Sequence, residues 1–321
     1  MSNFFDNSNE APINTGYTGQ GDYPPKPEVV EKKENILIRS MMSLLTYFVL
    51  FYFLFEKNIA YIAAILLVII IHEMGHLLAM KVFKYSNVKI FILPLIGAFT
   101  SGKKQDVSQF QLSLIILAGP IPGIIIACAL FYANIDLHNE TLKMLCNSFL
   151  IINLFNLLPI YPLDGGRLIE TLFFKQNHII RLVFGVISII VLIAIFIFTS
   201  PIMLIVPIMM GIELFNANKN DKIRSYLSSE NIDYHKEYNE LPNKNYWLIR
   251  DCVLFAFAKK YQGIQPGNYQ YSIVEPLIIK HINTILQINV LYDLGIIKQI
   301  LILLLYICAF ALPLLFFSLH L

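Results

Sequence analysis

Ile69-Ile70-Ile71-His72-Glu73-Met74-Gly75-His76-Leu77-Leu78-Ala79-Met80 sets three ionisable residues inside a run that is otherwise apolar. The run begins at Ile59 and is long enough to cross a bilayer as a helix. Residues four apart on a helix share a face, so His72 and His76 can each turn a ring nitrogen toward one zinc ion. Glu73 lies beside them and can serve as general base toward the water that such an ion activates. Ionisable groups are costly in hydrocarbon, so this HExxH pattern needs a functional reason to be there.

The composition agrees with a membrane setting. The 321 residues are 56% hydrophobic and 14% charged, against about 25% charged in soluble domains. The partner this composition implies is the lipid bilayer. A formal net charge of +2 gives no basis for nucleic-acid binding. Cys128, Cys146, Cys252 and Cys308 are scattered without a CxxC pair, so neither a cysteine zinc site nor a disulfide framework is expected.

Hydropathy and length predict an all-α polytopic membrane protein with about seven transmembrane helices. The spans fall at residues 36–55, 59–80, 112–133, 144–161, 182–199, 202–215 and 300–320. Residues 1–35, rich in Asn, Gly, Pro and charge, read as a disordered cytoplasmic leader. Residues 36–216 read as a transmembrane catalytic domain and 217–299 as a cytoplasmic segment of unassigned fold with two amphipathic helices. Residues 300–321 read as a C-terminal transmembrane helix. Residues 88–99 are β-branched and aromatic, too short to cross, and interrupted by Pro94 and Gly97. They predict a re-entrant β-hairpin buried by protein. Lys and Arg cluster before the first span, after the second and after the fourth, which predicts a cytoplasmic N-terminus. The loops at 56–58 and 134–143 then face the other side.

A catalytic zinc takes three protein ligands and keeps one position open. Asp164, Glu213 and His178 are the candidates for the third ligand. Asp164 is favoured by its setting, because Pro159 and Pro162 break the helix before it and Gly165-Gly166 permit close backbone approach. Asn153 and Asn156 share one helical face, and buried amides need partners. Hydrogen bonding between helices is the reading for Asn153.

HEMGH followed by Asn156-x-x-Pro159-x-x-x-Leu163-Asp164-Gly165 resembles the paired signature of the site-2 protease family of intramembrane zinc metalloproteases. The resemblance covers roughly residues 59–170. It implies a three-helix catalytic core made from the second, third and fourth spans. It implies Zn2+ held by His72, His76 and Asp164, with Glu73 catalytic and Asn156 binding substrate. Pro94-Leu95-Ile96-Gly97-Ala98-Phe99 resembles the family's re-entrant element, with Ile96 where a first glycine is usual. Gly97 is therefore a substrate-binding candidate, on a strand edge that can hold an unwound peptide.

The expected function is a zinc metalloendopeptidase that cleaves transmembrane or membrane-proximal segments of membrane-protein substrates. A bacterial cell membrane is the expected location. A catalytically silent membrane binding protein of the same family is one alternative, and a membrane-anchored zincin acting on soluble peptides is another. The former should lack Glu73 or a ligand, and the latter should place HExxH outside an apolar span. Neither condition holds in this chain.

Overall fold

The computed structural model describes residues 23–28, 52, 58–93, 97–104, 106–135, 138–174, 177–199, 201–286 and 289–318. Contacts divide the chain into two compact units. The larger comprises residues 33–215 and 289–321, and the smaller comprises residues 1–32 and 216–288.

The larger unit is built on α1 (Ile59–Val82), whose first turn is capped by the Asn58 side chain accepting from the Tyr61 amide. At 1.5 Å per residue its 24 residues span about 36 Å, enough for the hydrocarbon core. Its two faces differ in kind. Ile62, Ile65, Val68, His72 and His76 point inward and are buried. Leu67, Ile70, Met74 and Leu78 are 41–54% exposed along the opposite face. An apolar stripe of that size is unfavourable in water and natural against lipid.

Strands β1 (Ser86–Leu93) and β2 (Gly97–Lys103) follow as an antiparallel pair, with a register irregularity between Ser86 and Lys89. This antiparallel pairing falls where the re-entrant hairpin over 88–99 is expected and extends beyond it, with residues 94–96 outside the described residues. A short β3 (Asp106–Ser108) leads into α2 (Gln109–Ala118) and α3 (Pro120–Asn134). Pro120 has no amide proton to donate, and the helix is interrupted there rather than running unbroken.

Next come α4 (Glu140–Asn156), α5 (Asp164–Phe173) and α6 (His178–Thr199). The fourth span is expected to reach residue 161, but α4 ends at Asn156. Pro159 disfavours helical geometry at Leu158, and the chain turns away. On α6 only Gly185, Ser188 and Leu192 are buried, which leaves most of its apolar surface outward. A 3-10 turn, Pro201–Leu204, precedes α7 (Ile205–Ser229). Pro207 lies in the first turn of α7, where no intrahelical donor is lost. The helix therefore runs well past residue 215, to a stop at Asn231 with φ 55°. There Ile232 N–H donates to Leu227 O, closing the left-handed cap.

Strand β4 (Asn289–Leu291) pairs in parallel with β3, and α10 (Ile296–Ser318) ends the fold. Asp293 locks this junction by accepting from Ser108 Oγ at 2.6 Å and from the Phe110 amide at 3.3 Å. Residues 289–299 therefore belong with the helical unit, whereas the sequence reading groups them with the segment 217–299. Among the described residues, four stretches are long and apolar enough to cross a membrane: Ile59–Val82, Gln109–Asn134, His178–Thr199 and Ile296–Leu315. The expected first span, residues 36–55, lies outside the described residues apart from Tyr52.

The smaller unit packs α8 (Asn243–Ala256) and α9 (Glu275–Ile285) beside the polar end of α7. Ile249, Val253, Ile278, Ile282 and Ile285 form its apolar centre. Arg250 is fully buried there. Its guanidinium meets both Glu275 oxygens at 2.7 and 3.0 Å and donates to the Asn268 and Gln270 carbonyls. Every charge is answered, as a buried ion pair requires. One expectation needs correction here. Residues 23–28 do not read as disordered: they lie against this unit, with Trp247 Nε1 donating to Pro24 O. Three prolines in this stretch restrict the backbone before docking, so little conformational entropy opposes it.

Asp251 supplies a test of the smaller unit. One carboxylate oxygen accepts from Gly267 N–H, and the other is buried without a partner among the described residues. Burial pushes this carboxyl up to about 6 from an ordinary 3.8, against the opposing pull of the Gly267 amide and Arg250. The folded state then binds more protons than the unfolded state between those values, so Asp251 costs stability as pH rises through that window. Asp251→Asn should stabilise the unit above pH 6 by up to about 3 kcal/mol and give no advantage below pH 4. Urea unfolding followed by tryptophan fluorescence at pH 4 and pH 8 checks it; an equal effect at both values refutes it.

Candidate metal centre

Two elements bring three side chains together beneath the exposed apolar face of α1. His72 and His76 lie on its inward face, and Asp164 opens α5. All three side chains are buried. His72 Nε2 and His76 Nε2 are 3.2 Å apart, and Asp164 Oδ2 lies 3.0 Å from the first and 3.3 Å from the second.

The hydrogen bonds behind the rings determine what faces the centre. His76 Nδ1 is 2.8 Å from the Ile115 carbonyl, which can only accept, so Nδ1 carries the proton and Nε2 the lone pair. Asn153 Nδ2 donates to Phe149 O at 2.7 Å, which turns Asn153 Oδ1 toward His72 Nδ1 at 2.9 Å. An amide oxygen also only accepts, so His72 likewise presents its Nε2 lone pair. With both rings neutral, two lone pairs and a carboxylate oxygen thus face one another. With those rings neutral, buried Asp164 Oδ2 has no hydrogen-bond donor among the described residues. A cation relieves this arrangement. A tetrahedral ion with bonds of about 2.0–2.1 Å has ligand atoms about 3.3 Å apart, close to the edges seen here.

Glu73 is buried on the same helix, and its ligand atom lies within 4.8 Å of those of both histidines. Its Oε2 accepts from Thr100 Oγ1 at 2.8 Å, and the same hydroxyl is 3.2 Å from Glu73 O. The carboxylate is thereby steered from β2. Sequence reasoning misses Thr100, because a threonine in a strand is ordinary and only the packing of the hairpin against α1 reveals its partner.

Glycines make the close approaches possible. A Cβ on Gly119 would lie 2.3 Å from His76 Nε2, and one on Gly123 would lie 2.1 Å from Asn153 Nδ2. The break between α2 and α3 therefore lets one helix carry Ile115 O to His76 while leaving room for the ring. The loop before Asp164 is pinned from two sides. Tyr161 N–H donates to Ser188 Oγ on α6, and Tyr306 on α10 donates to Leu157 O.

The remaining sequence candidates fall elsewhere. Glu213 and His178 carry exposed side chains, and neither contacts the histidines among the described residues. Asn156 is half-buried and donates to Ile152 O in its own helix. Gly97 begins β2 opposite Leu93, and the outer edge of β2 carries no further strand among the described residues. Asn153 bridges α1 and α4 as an inter-helix hydrogen bond, and its acceptor holds His72.

Residues 60–141 match peptidase family M50. This range includes His72, Glu73, His76, Thr100 and Gly119 and ends before Asn153 and Asp164. Stage IV sporulation protein FB of Bacillus subtilis is 33% identical over 114 residues, which is 35% of this chain and 40% of that protein. A zinc metalloprotease of Methanocaldococcus jannaschii is 26% identical over 113 residues, 34% of this chain and 32% of that protein. The match thus spans well under half the length of either curated relative. A solved site-2 protease from Methanocaldococcus jannaschii superposes with a TM-score of 0.42 at 20% identity, covering 55% of this chain and 86% of that one.

If Asn153 and Gly119 hold the histidines in place, their loss should weaken metal binding without removing a ligand. Asn153→Ala should lower zinc affinity about 10–100-fold. Gly119→Ala should lower it at least as much, because the added methyl occupies the position of the His76 ring. Competition with a chromogenic chelator measures both, and unchanged affinity in both variants would refute the positioning role.

Proposed function

We propose that this chain is an intramembrane zinc metalloendopeptidase of the site-2 protease class acting on membrane-protein substrates, a reading supported by the match of residues 60–141 to peptidase family M50. The convergence of two histidine lone pairs and an unanswered carboxylate oxygen carries the reading. In this reading His72, His76 and Asp164 hold the zinc. The ion supplies Lewis acidity toward a peptide carbonyl and lowers the pKa of water toward about 7.

The chain's own residues do the rest. Glu73, aimed by Thr100, takes the proton of the attacking water and delivers it to the leaving amine. The backbone bond at Ile115 O and the Asn153 amide keep both imidazoles in the tautomer that can ligate. A helical substrate hides its carbonyls in internal hydrogen bonds, so it must unwind locally before cleavage. The open edge of β2, which begins at Gly97, can hold the unwound stretch by strand addition. Asn156 lies one turn beyond Asn153 on α4 and is the candidate to hydrogen-bond substrate. The hairpin is read as re-entrant, packed beside α1 through Thr100.

Seven crossings complete this reading, with residues 36–55, α4 and the apolar start of α7 joining the four long helices. The smaller unit supports it. Residues 23–28 touch residues 238–271, so both lie on one side of the membrane. An even number of crossings must separate them, and residues 36–55 through 202–215 make six. Lysines 81, 84, 89, 103 and 104 favour the cytoplasm for that side.

Glu73→Gln should reduce cleavage about 10²–10⁴-fold while zinc stays bound, since the base is lost and the ligands remain. Membrane proteomes of cells carrying wild type or this variant should differ by uncut substrates; cleavage at the wild-type rate would sink the assignment. Asp164→Ala should lose metal as well as activity, and full zinc occupancy in that variant would exclude Asp164 as a ligand.

Topology has its own test. In a cysteine-free background, a cysteine at Asn139 should react with a membrane-impermeant reagent on intact cells. One at Asp106 should react only after lysis. The reverse pattern would invert the orientation.

A further inference from the structure

Tyr23-Pro24-Pro25-Lys26-Pro27-Glu28 crosses the smaller unit without helix or strand pairing. Pro24, Pro25 and Pro27 set their own φ near −65°. Tyr23, Pro24 and Lys26 each precede a proline and are driven to extended or polyproline II geometry. Such a backbone makes no internal hydrogen bonds and leaves its carbonyls for outside donors.

The smaller unit answers those carbonyls with side chains. Trp247 Nε1 donates to Pro24 O, Tyr271 OH to Pro25 O and Tyr238 OH to Pro27 O, each at 2.7 Å. The Trp247 and Tyr271 ring planes lie within 6° of parallel, 6.0 Å apart, and the Tyr23 ring rests on Tyr269 at 5.2 Å. Lys26 is read separately. Its amide donates to Asn243 Oδ1 at 3.0 Å. Its ammonium spends all three donors on the carbonyls of Tyr238, Asn239 and Leu241, at 2.5, 2.8 and 2.7 Å. A three-carbonyl cup suits a compact ammonium and not a planar guanidinium.

These contacts differ from core packing. The buried residues at the centre of the unit all come from residues 223–285, and the segment adds only a partly buried Tyr23 at the margin. The receptor is therefore complete without its ligand. We infer that residues 216–288 form a binding site for polyproline II peptides of the pattern Tyr-Pro-Pro-Lys-Pro, and that residues 23–28 occupy it as a ligand held in cis. Aromatic N–H and O–H donors set across a stiff proline backbone are the chemistry by which such peptides are recognised. The inference uses none of the candidate metal ligands and does not depend on the proteolytic reading.

Trp247 is the chain's one tryptophan, so its fluorescence reports this site alone. The full chain in detergent should show shielded emission. A chain lacking residues 1–28 should emit further to the red and be quenched by acrylamide several-fold faster. A synthetic peptide of residues 19–30 should reverse both changes, and the same peptide with Lys26→Ala should bind at least about 10-fold more weakly, for the loss of three charge-assisted bonds. A dye-labelled copy should bind the shortened chain at least about 10-fold more tightly than the full chain, because a tethered ligand competes at high effective concentration. Failure of the shortened chain to bind the peptide, with helical content and melting unchanged, overturns the inference. Should that chain misfold, Lys26→Ala in the full chain decides. Faster quenching and new access for the labelled peptide support the inference, and unchanged quenching overturns it.

Discussion

Three acceptors meeting in an apolar bundle are the constraint on which the larger unit depends. Two imidazole lone pairs and one carboxylate oxygen repel at 3.0–3.3 Å unless a cation lies among them. In buried, apolar surroundings any ring nitrogen left unanswered is expensive. The surrounding fold can be read as the means of enforcing this meeting. The α2–α3 break delivers a carbonyl to His76, α4 delivers an amide oxygen to His72, and the proline loop carries Asp164 back into the bundle. Gly119 and Gly123 leave the space that the His76 ring and the Asn153 amide occupy.

The hairpin brings the other half of the site. Thr100 reaches Glu73 only because β2 packs on α1, so the orientation of the proposed base depends on a strand distant from it in sequence. The same strand offers the free edge on which an extended peptide could pair. In the proposed reading, base orientation and substrate capture would be joined in one element, so a change in hairpin register would disturb both.

The two units solve the problem of buried polarity differently. The larger leaves charge for a metal to neutralise. The smaller answers Arg250 with Glu275 and two loop carbonyls and holds Asp251, whose Oδ2 has no partner among the described residues, at a raised pKa. Its aromatic side chains then serve the proline segment, whose carbonyls could not have been satisfied within a polyproline backbone.

Residue types and spacing single out the same residues that the structure gathers at the candidate metal centre. A helix with histidines four apart places them on one face whatever surrounds it, and an apolar run of that length predicts its own helical state. Prolines 159 and 162 likewise forecast that the chain would turn before Asp164, and the turn occurs. Spacing alone leaves Asp164, Glu213 and His178 open; the proline and glycine setting and the resemblance favour Asp164, and among the described residues it is the one of the three that lies beside the histidines. Thr100, the ring tautomers and the docking of residues 23–28 were decided only in three dimensions. Each rests on a hydrogen bond between residues far apart in the chain. Local pattern reports the conformations and faces a segment prefers, and the partner for a polar atom is chosen by packing.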